Sequence, residues 1–286
     1  MKRKGDSDKT GKGHKPVKTV RVGFIGGGNM AEALVRGLLA AGYGTEELLV
    51  AEPLAARRRL LARRYRIGVT DDNGAVVGRA QTIVLAVKPQ ILGDLLSSLG
   101  AVATSKKLFV SIAAGVPLAR LEAGLGDGVR VVRVMPNTPC LVGKGAAVLC
   151  GGSAVRASDL RTVRKLFAAV GDAHVIEDEK LMHAVTALSG SGPAYVYRFA
   201  EALVAAGIKA GLDEELASAL TFQTLAGAAQ MMLTTGQTPE ELRRAVSSPG
   251  GTTLAGLARL DENGLAGAVA AAVRAAVKRS VELGKM

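Results

Sequence analysis

The chain has no tryptophan, three histidines and two cysteines, and aromatic residues make up only 3% of its 286 positions. Each scarcity removes a class of function. Cys140 and Cys150 stand in neither a CxxC nor a metal-ligand spacing, and His14, His174 and His183 are scattered, so no metal site can be assembled and the cysteines read as structural ones in a reducing compartment. No uninterrupted apolar stretch reaches the roughly 18 residues of a membrane span. The formal net charge of +12 comes without an aromatic or basic recognition module, which argues against nucleic acid as a partner.

Much of that charge is local. Residues 1–18 hold seven lysines and arginines against two aspartates and almost no apolar side chains, so a disordered basic tail is expected there. It has neither the apolar core of a secretory signal nor the arginine-rich, acid-poor pattern of a transit peptide, and the cytoplasm is the default location. The remaining basic residues, such as Arg57, Arg58, Arg59, Arg63 and Arg64, fit solvated helix faces, and Arg57, Arg58 and Arg59 also follow the second strand closely enough to bind a ribose 2′-phosphate if Glu52 turns away.

Glycine, with 36 residues, is plentiful. The segment VRVGFIGGGNMAEALVRGLL at residues 20–39 joins an apolar strand to Gly26, Gly27, Gly28, Asn29, Met30 and Ala31 and then to a helical pattern. Gly26 allows a tight turn, Gly28 a close approach to a ligand and Ala31 close packing of helix on sheet, while the N–H groups at the helix start face a pyrophosphate. Further apolar strands are expected at residues 47–52, 82–87, 107–112, 130–135, 146–150 and 173–176, alternating with helices in the manner of a parallel sheet buried on both faces. Glu52 closes the second strand where a carboxylate can accept from ribose hydroxyls. The loops after the strands are marked by Lys88 and Pro89, by Ala113, Ala114 and Gly115, and by residues 135–139. With the glycine turn they make four loops converging on one crevice.

From about Glu179 the pattern turns helical, with helices expected at 194–207, 216–234 and 265–283. Residues 228–233 and 268–276 are apolar on more than one face, so a partner subunit should cover them; a compact monomeric bundle is the other possibility.

An alcohol dehydrogenase needs a positioned base, and the chain offers none. His183 has no evident acidic partner, neither Tyr195 nor Tyr197 has a lysine four residues on, and Arg198 stands in the turn after the Ser189–Pro193 segment where a β-hydroxyacid dehydrogenase carries lysine. A C=N bond relaxes the demand, since a protonated imine already attracts hydride and mainly needs geometry, exclusion of water and a modest donor. Residues 247–253, reading SSPGGTT, supply hydroxyls and backbone N–H groups suited to a small carboxylate.

Residues 26–31, AVKPQ at 86–90, SIAAG at 111–115, RVMPNTP at 133–139, LSGSGPAY at 188–195 and the SSPGGTT loop together resemble pyrroline-5-carboxylate reductase. The resemblance spans everything after the tail. It implies an α/β fold, an N-terminal Rossmann dinucleotide-binding domain over 19–178 followed by an all-α dimerisation domain over 179–286. It implies NADPH or NADH as cofactor, with Ile25, Gly26, Gly27, Gly28, Asn29 and Met30 at the pyrophosphate, Glu52 at the ribose and Asn73 near the adenosine. Ala86, Val87, Lys88, Pro89, Ile112, Ala113 and Ala114 would hold the nicotinamide side. Ser248, Gly251, Thr252 and Thr253 would bind the substrate, with Thr253 catalytic at the ring nitrogen. It further implies a homodimer or a larger ring of dimers, and the apolar helices after Glu179 lead to the expectation that the second subunit closes part of the crevice. His183, where an acidic residue would be expected, and Ala245, polar in some relatives, depart from the pattern. A different imine or ketone reductase would keep the glycine turn and alter the 247–253 loop; a dinucleotide sensor would have no use for that loop.

Overall fold

The computed structural model describes residues 20–285; the expected basic tail lies outside the described residues. Strand β1 (Val20–Ile25) leads into α1 (Asn29–Ala40), β2 (Leu48–Ala51), α2 (Ala55–Tyr65), β3 (Gly68–Thr70), α3 (Asn73–Arg79), β4 (Ala80–Leu85), α4 (Pro89–Leu99) and β5 (Leu108–Ser111). Then come α5 (Leu118–Leu125), β6 (Arg130–Met135), β7 (Gly145–Gly151), α6 (Ala157–Ala168) and β8 (Gly171–Val175). The eight strands form one sheet in the order β3-β2-β1-β4-β5-β6-β7-β8. Because successive side chains point to opposite faces, Phe24, Val84, Val110 and Val132 pack under α1 and α6, while Ile25, Ile83, Phe109 and Val131 pack under α3, α4 and α5. That is why the strands read as continuous apolar runs.

The sheet departs from the expected all-parallel one at a single junction. β7 runs antiparallel to β6, with Met135 opposite Val148, and β8 returns to parallel pairing with β7. The connection over residues 136–144 is shorter than the dozen or so residues a parallel crossover takes, so it turns the chain back instead. β3, which the sequence did not suggest, is three residues long and pairs along the outer side of β2.

The chain then becomes helical: α7 (Met182–Val185), a π-turn (Thr186–Gly190), α8 (Gly192–Lys209), α9 (Glu214–Thr234), α10 (Pro239–Ala245), α11 (Thr252–Glu262) and α12 (Leu265–Gly284). α8 packs on α9, α11 on α12, and α12 returns to α7 and the π-turn. Arg133 of β6 donates to Glu179 Oε1 at 2.8 Å, Leu118 N–H donates to the same oxygen at 2.7 Å, and His183 Nδ1 pairs with Ser280 Oγ at 3.0 Å. The first two anchor the start of the helical half on β6 and α5, and the third holds α12 to α7. Elsewhere the helices are bare: α9 buries only Ala217 and Thr221, while Phe222 and Leu233 remain 59% and 77% exposed. Among the described residues, no helix is long and apolar enough to cross a membrane.

Candidate active site

Gly26 adopts φ +96°, in the left-handed region, and donates its N–H to Ala51 O at 2.8 Å. A Cβ there would strike the Ala86 carbonyl, so the turn after β1 needs glycine for its conformation and for space. At Gly27 a side chain would meet Leu61 and Glu52, a tertiary reason that spacing alone does not reveal. Gly28 faces open space and precedes α1 without any side-chain cap, which leaves the N–H groups of the first helical turn for an anion. Asn29 is exposed, Met30 half-buried, and Ala31 fully packed against the sheet. A bare helix start after a turn without side chains presents backbone N–H groups of the kind that hold a dinucleotide pyrophosphate.

The neighbouring loops lie along the same edge. Ala86 N–H donates to Ile25 O at 2.8 Å and Ile112 N–H to Leu85 O at 3.2 Å, so residues 25–30, 86–89 and 112–114 emerge side by side from β1, β4 and β5. The strand order reverses between β1 and β4, the point where open sheets of this kind bind ligands. Ala86, Val87, Pro89 and Ile112 are half-buried and form an apolar floor, with Ala113 beneath it and Lys88 and Ala114 at its rim.

Glu52 does more than close its strand. Its Oε2 accepts from Gly27 N–H at 2.9 Å and its Oε1 from Leu54 N–H at 2.9 Å, so the carboxylate holds the glycine turn to the start of α2. Each oxygen keeps a lone pair for a further donor. Asn73 opens α3 half-buried, and Glu52 N–H donates to Thr70 O at 2.9 Å, which sets the two residues at one end of the crevice. The basic run behaves differently from the sequence expectation of free phosphate binders. Arg58 donates to the Glu52 and Pro53 carbonyls and pairs with Asp71 at 3.0 Å. Arg57 Nε donates to Gly27 O at 2.6 Å and its Nη2 to Glu32 Oε2 at 2.5 Å. Glu32 also accepts from Tyr65 OH at 2.7 Å and Arg64 Nη1 at 3.1 Å. Burial works to raise the Glu32 carboxyl, but the Tyr65 hydroxyl and Arg57 outweigh it and hold it below its ordinary value. Glu32 escapes sequence reasoning because its partners lie on another helix.

The hydroxyl loop stands apart. Gly250 takes φ +70°, Gly251 N–H donates to Ser248 O at 3.0 Å, and Thr252 and Thr253 begin α11 without a side-chain cap. Ser248 and Thr252 are exposed and Thr253 half-buried. Among the described residues, no hydrogen bond or ion pair joins residues 247–253 to the sheet, and the helix they open, α11, packs on α12. Asn137, in the RVMPNTP segment, has a role that its motif does not reveal. Its Oδ1 accepts from Ala146 N–H at 2.8 Å and its Nδ2 donates to Ser189 O at 3.1 Å, bracing a cleft of about 450 Å³ between the loop after β6 and the start of α8. Cys140 and Cys150 are buried free thiols, and burial pushes both up in pKa, so neither is a ready nucleophile. Among the described residues there is no cluster of three metal-ligating side chains.

Comparison with known proteins gives this geometry its context. The family model described as "NADP oxidoreductase coenzyme F420-dependent" matches residues 21–115, and the model described as "Pyrroline-5-carboxylate reductase dimerisation" matches residues 179–283. A pyrroline-5-carboxylate reductase of Pseudomonas aeruginosa is 44% identical over 267 residues, covering 93% of this chain and 98% of that protein. The chain belongs to the pyrroline-5-carboxylate reductase family. A solved member from Coxiella burnetii superposes with a TM-score of 0.90 at 37% identity, over 94% of this chain and 100% of that one. The Plasmodium falciparum pyrroline carboxylate reductase, solved with NADP bound, gives a TM-score of 0.81 at 36% identity, over 93% and 98% of the two chains. The fold is thus the family's Rossmann-like nucleotide-binding half followed by a helical dimerisation half.

Proposed function

We propose that this protein is an oxidoreductase that reduces the cyclic imine 1-pyrroline-5-carboxylate to L-proline, the last step of proline biosynthesis, with NADPH or NADH as hydride donor. The observation that carries the reading is the pairing of a glycine turn that leads into a bare helix start with a second uncapped, hydroxyl-bearing helix start at Thr252 and Thr253. When bound, a reduced nicotinamide supplies the hydride. Residues 25–30 hold the pyrophosphate, Glu52 and Asn73 the adenosine end, and Ala86, Val87, Lys88, Pro89, Ile112, Ala113 and Ala114 the nicotinamide side. Their apolar floor keeps water away from the reacting carbon. Ser248, Gly251 and Thr252 hold the substrate carboxylate on the N–H groups of the first turn of α11, where the helix dipole favours an anion. Thr253 Oγ sits at the ring nitrogen, which gains the C=N electron pair as hydride reaches the carbon and ends as a secondary amine.

Because, among the described residues, no hydrogen bond or ion pair joins the hydroxyl loop to the sheet, the site closes with the loop of a second subunit, in a homodimer or a ring of dimers. The boundary between the halves falls at residues 178 and 179, and the enzyme works in the cytoplasm on a small molecule, without nucleic acid or membrane. Following the absorbance of NADPH and of NADH with pyrroline-5-carboxylate tests the reaction. Substrate-dependent oxidation that forms proline is expected; none with either cofactor would refute it.

A further inference from the structure

Cofactor choice in such a site depends on what meets the adenosine ribose, where NADP carries a 2′-phosphate and NAD a hydroxyl. Three arginines, Arg57, Arg58 and Arg59, follow the second strand and look on sequence like a phosphate trap. Two of them are already engaged. Arg58 is spread over two carbonyls and Asp71. Arg57 lies over the glycine turn, clasped between Gly27 O and the Glu32 carboxylate, and its side chain is 22% exposed.

We propose that Glu32 is a positioning residue for cofactor specificity: by drawing Arg57 back onto the glycine turn and neutralising it, Glu32 withholds it from a ribose 2′-phosphate and keeps the site open to NADH. This rests on the assignment of the crevice to a nicotinamide dinucleotide. The geometry is suited to the task. Glu32 comes from the first turn of α1, so the ligand's own cradle fixes it, and Tyr65 and Arg64 pin the same carboxylate from the far end of α2. Arg57 Nε and Nη2 are both spent, one on the Gly27 carbonyl and the other on Glu32, while the Gly27 N–H is itself held by Glu52. A guanidinium paired in this way would have to exchange one carboxylate partner for a phosphate, with little net gain. Released from Glu32, the same group would stand at the start of α2, beside the ribose-facing Glu52, with its full charge.

The test compares two adenosine fragments, 2′,5′-ADP and 5′-AMP, by calorimetry on the full chain, so that it reads the phosphate pocket whether or not the imine is the true substrate. Glu32→Ala is expected to tighten 2′,5′-ADP about tenfold while moving 5′-AMP less than about twofold, the scale of one new charge-assisted pair. Adding Arg57→Ala should cancel the gain. In the otherwise unchanged protein, Arg57→Ala alone should leave the ratio of the two affinities where it was, a measurement that stands even if Glu32→Ala folds poorly. The proposal is overturned if Glu32→Ala fails to tighten 2′,5′-ADP, if the gain survives in the double variant, or if Arg57→Ala alone selectively weakens 2′,5′-ADP. Loss of imine reduction with these outcomes intact would count against the reaction and leave Glu32 in its role.

Discussion

At Gly26 two independent constraints meet: a φ of +96° and an Ala86 carbonyl standing where a Cβ would go. Gly26→Ala therefore costs the left-handed strain of about 1–2 kcal/mol and a displaced β4 loop besides. Loss of dinucleotide binding and a lower melting temperature are expected, to be read by calorimetry with and without cofactor. Thr253→Ala removes a hydroxyl and little else. A hydrogen bond to a charged group is worth about 1.5–3 kcal/mol, so kcat/KM should fall roughly ten- to a hundredfold with cofactor affinity unchanged. Wild-type efficiency would mean that the ring nitrogen is served by another group. Gly26 was legible in the sequence because the demand it meets belongs to one residue type. The contacts of Gly27, Glu32 and Arg57 were not, since what they touch is decided by the packing of α1 against α2.

Among the elements, β6 carries the joint between the two halves. Arg133 is 3% exposed and is held by Glu179, which is 29% exposed and keeps a second donor in Leu118 N–H. The two truncations should therefore differ. Glu179→Ala strands a buried guanidinium and should cost about 3–5 kcal/mol, whereas Arg133→Met leaves a carboxylate that still has a partner and water, and should cost less. Denaturant unfolding of both variants measures the difference; equal losses would mean that the pair acts only through packing. The strands themselves were legible as apolar runs, but an apolar run carries no direction. What reverses β7 is the short connection through Pro136 and Pro139, and direction had to be argued from its length.

The whole molecule is unfinished as a single chain. Leu220 at 51% and Leu233 at 77% exposure lie on a 21-residue helix that buries only two of its residues. Exposed apolar surface on this scale marks an interface. Leu220→Glu is expected to shift the protein toward monomer in sedimentation and to lower activity in step; a variant that stays dimeric would place the interface elsewhere. Composition made this legible: residues 228–233 and 268–276 are apolar around more than one face, and no fold of about a hundred residues hides several such helices. It left unread which chain supplies which half of the site, because that depends on how two copies dock.

The lack of any hydrogen bond or ion pair, among the described residues, between the 247–253 loop and the sheet has a genetic meaning. If each site takes its turn from one chain and its hydroxyl loop from the other, two dead alleles can rescue each other. A subunit disabled at Gly26 and one disabled at Thr253, mixed in a single dimer, would put both defects in one site and leave the other site whole. Coexpressing the two inactive forms would then restore growth without added proline, and neither alone would. Were both halves drawn from the same chain, every site in the hybrid would carry a lesion and no mixture would recover.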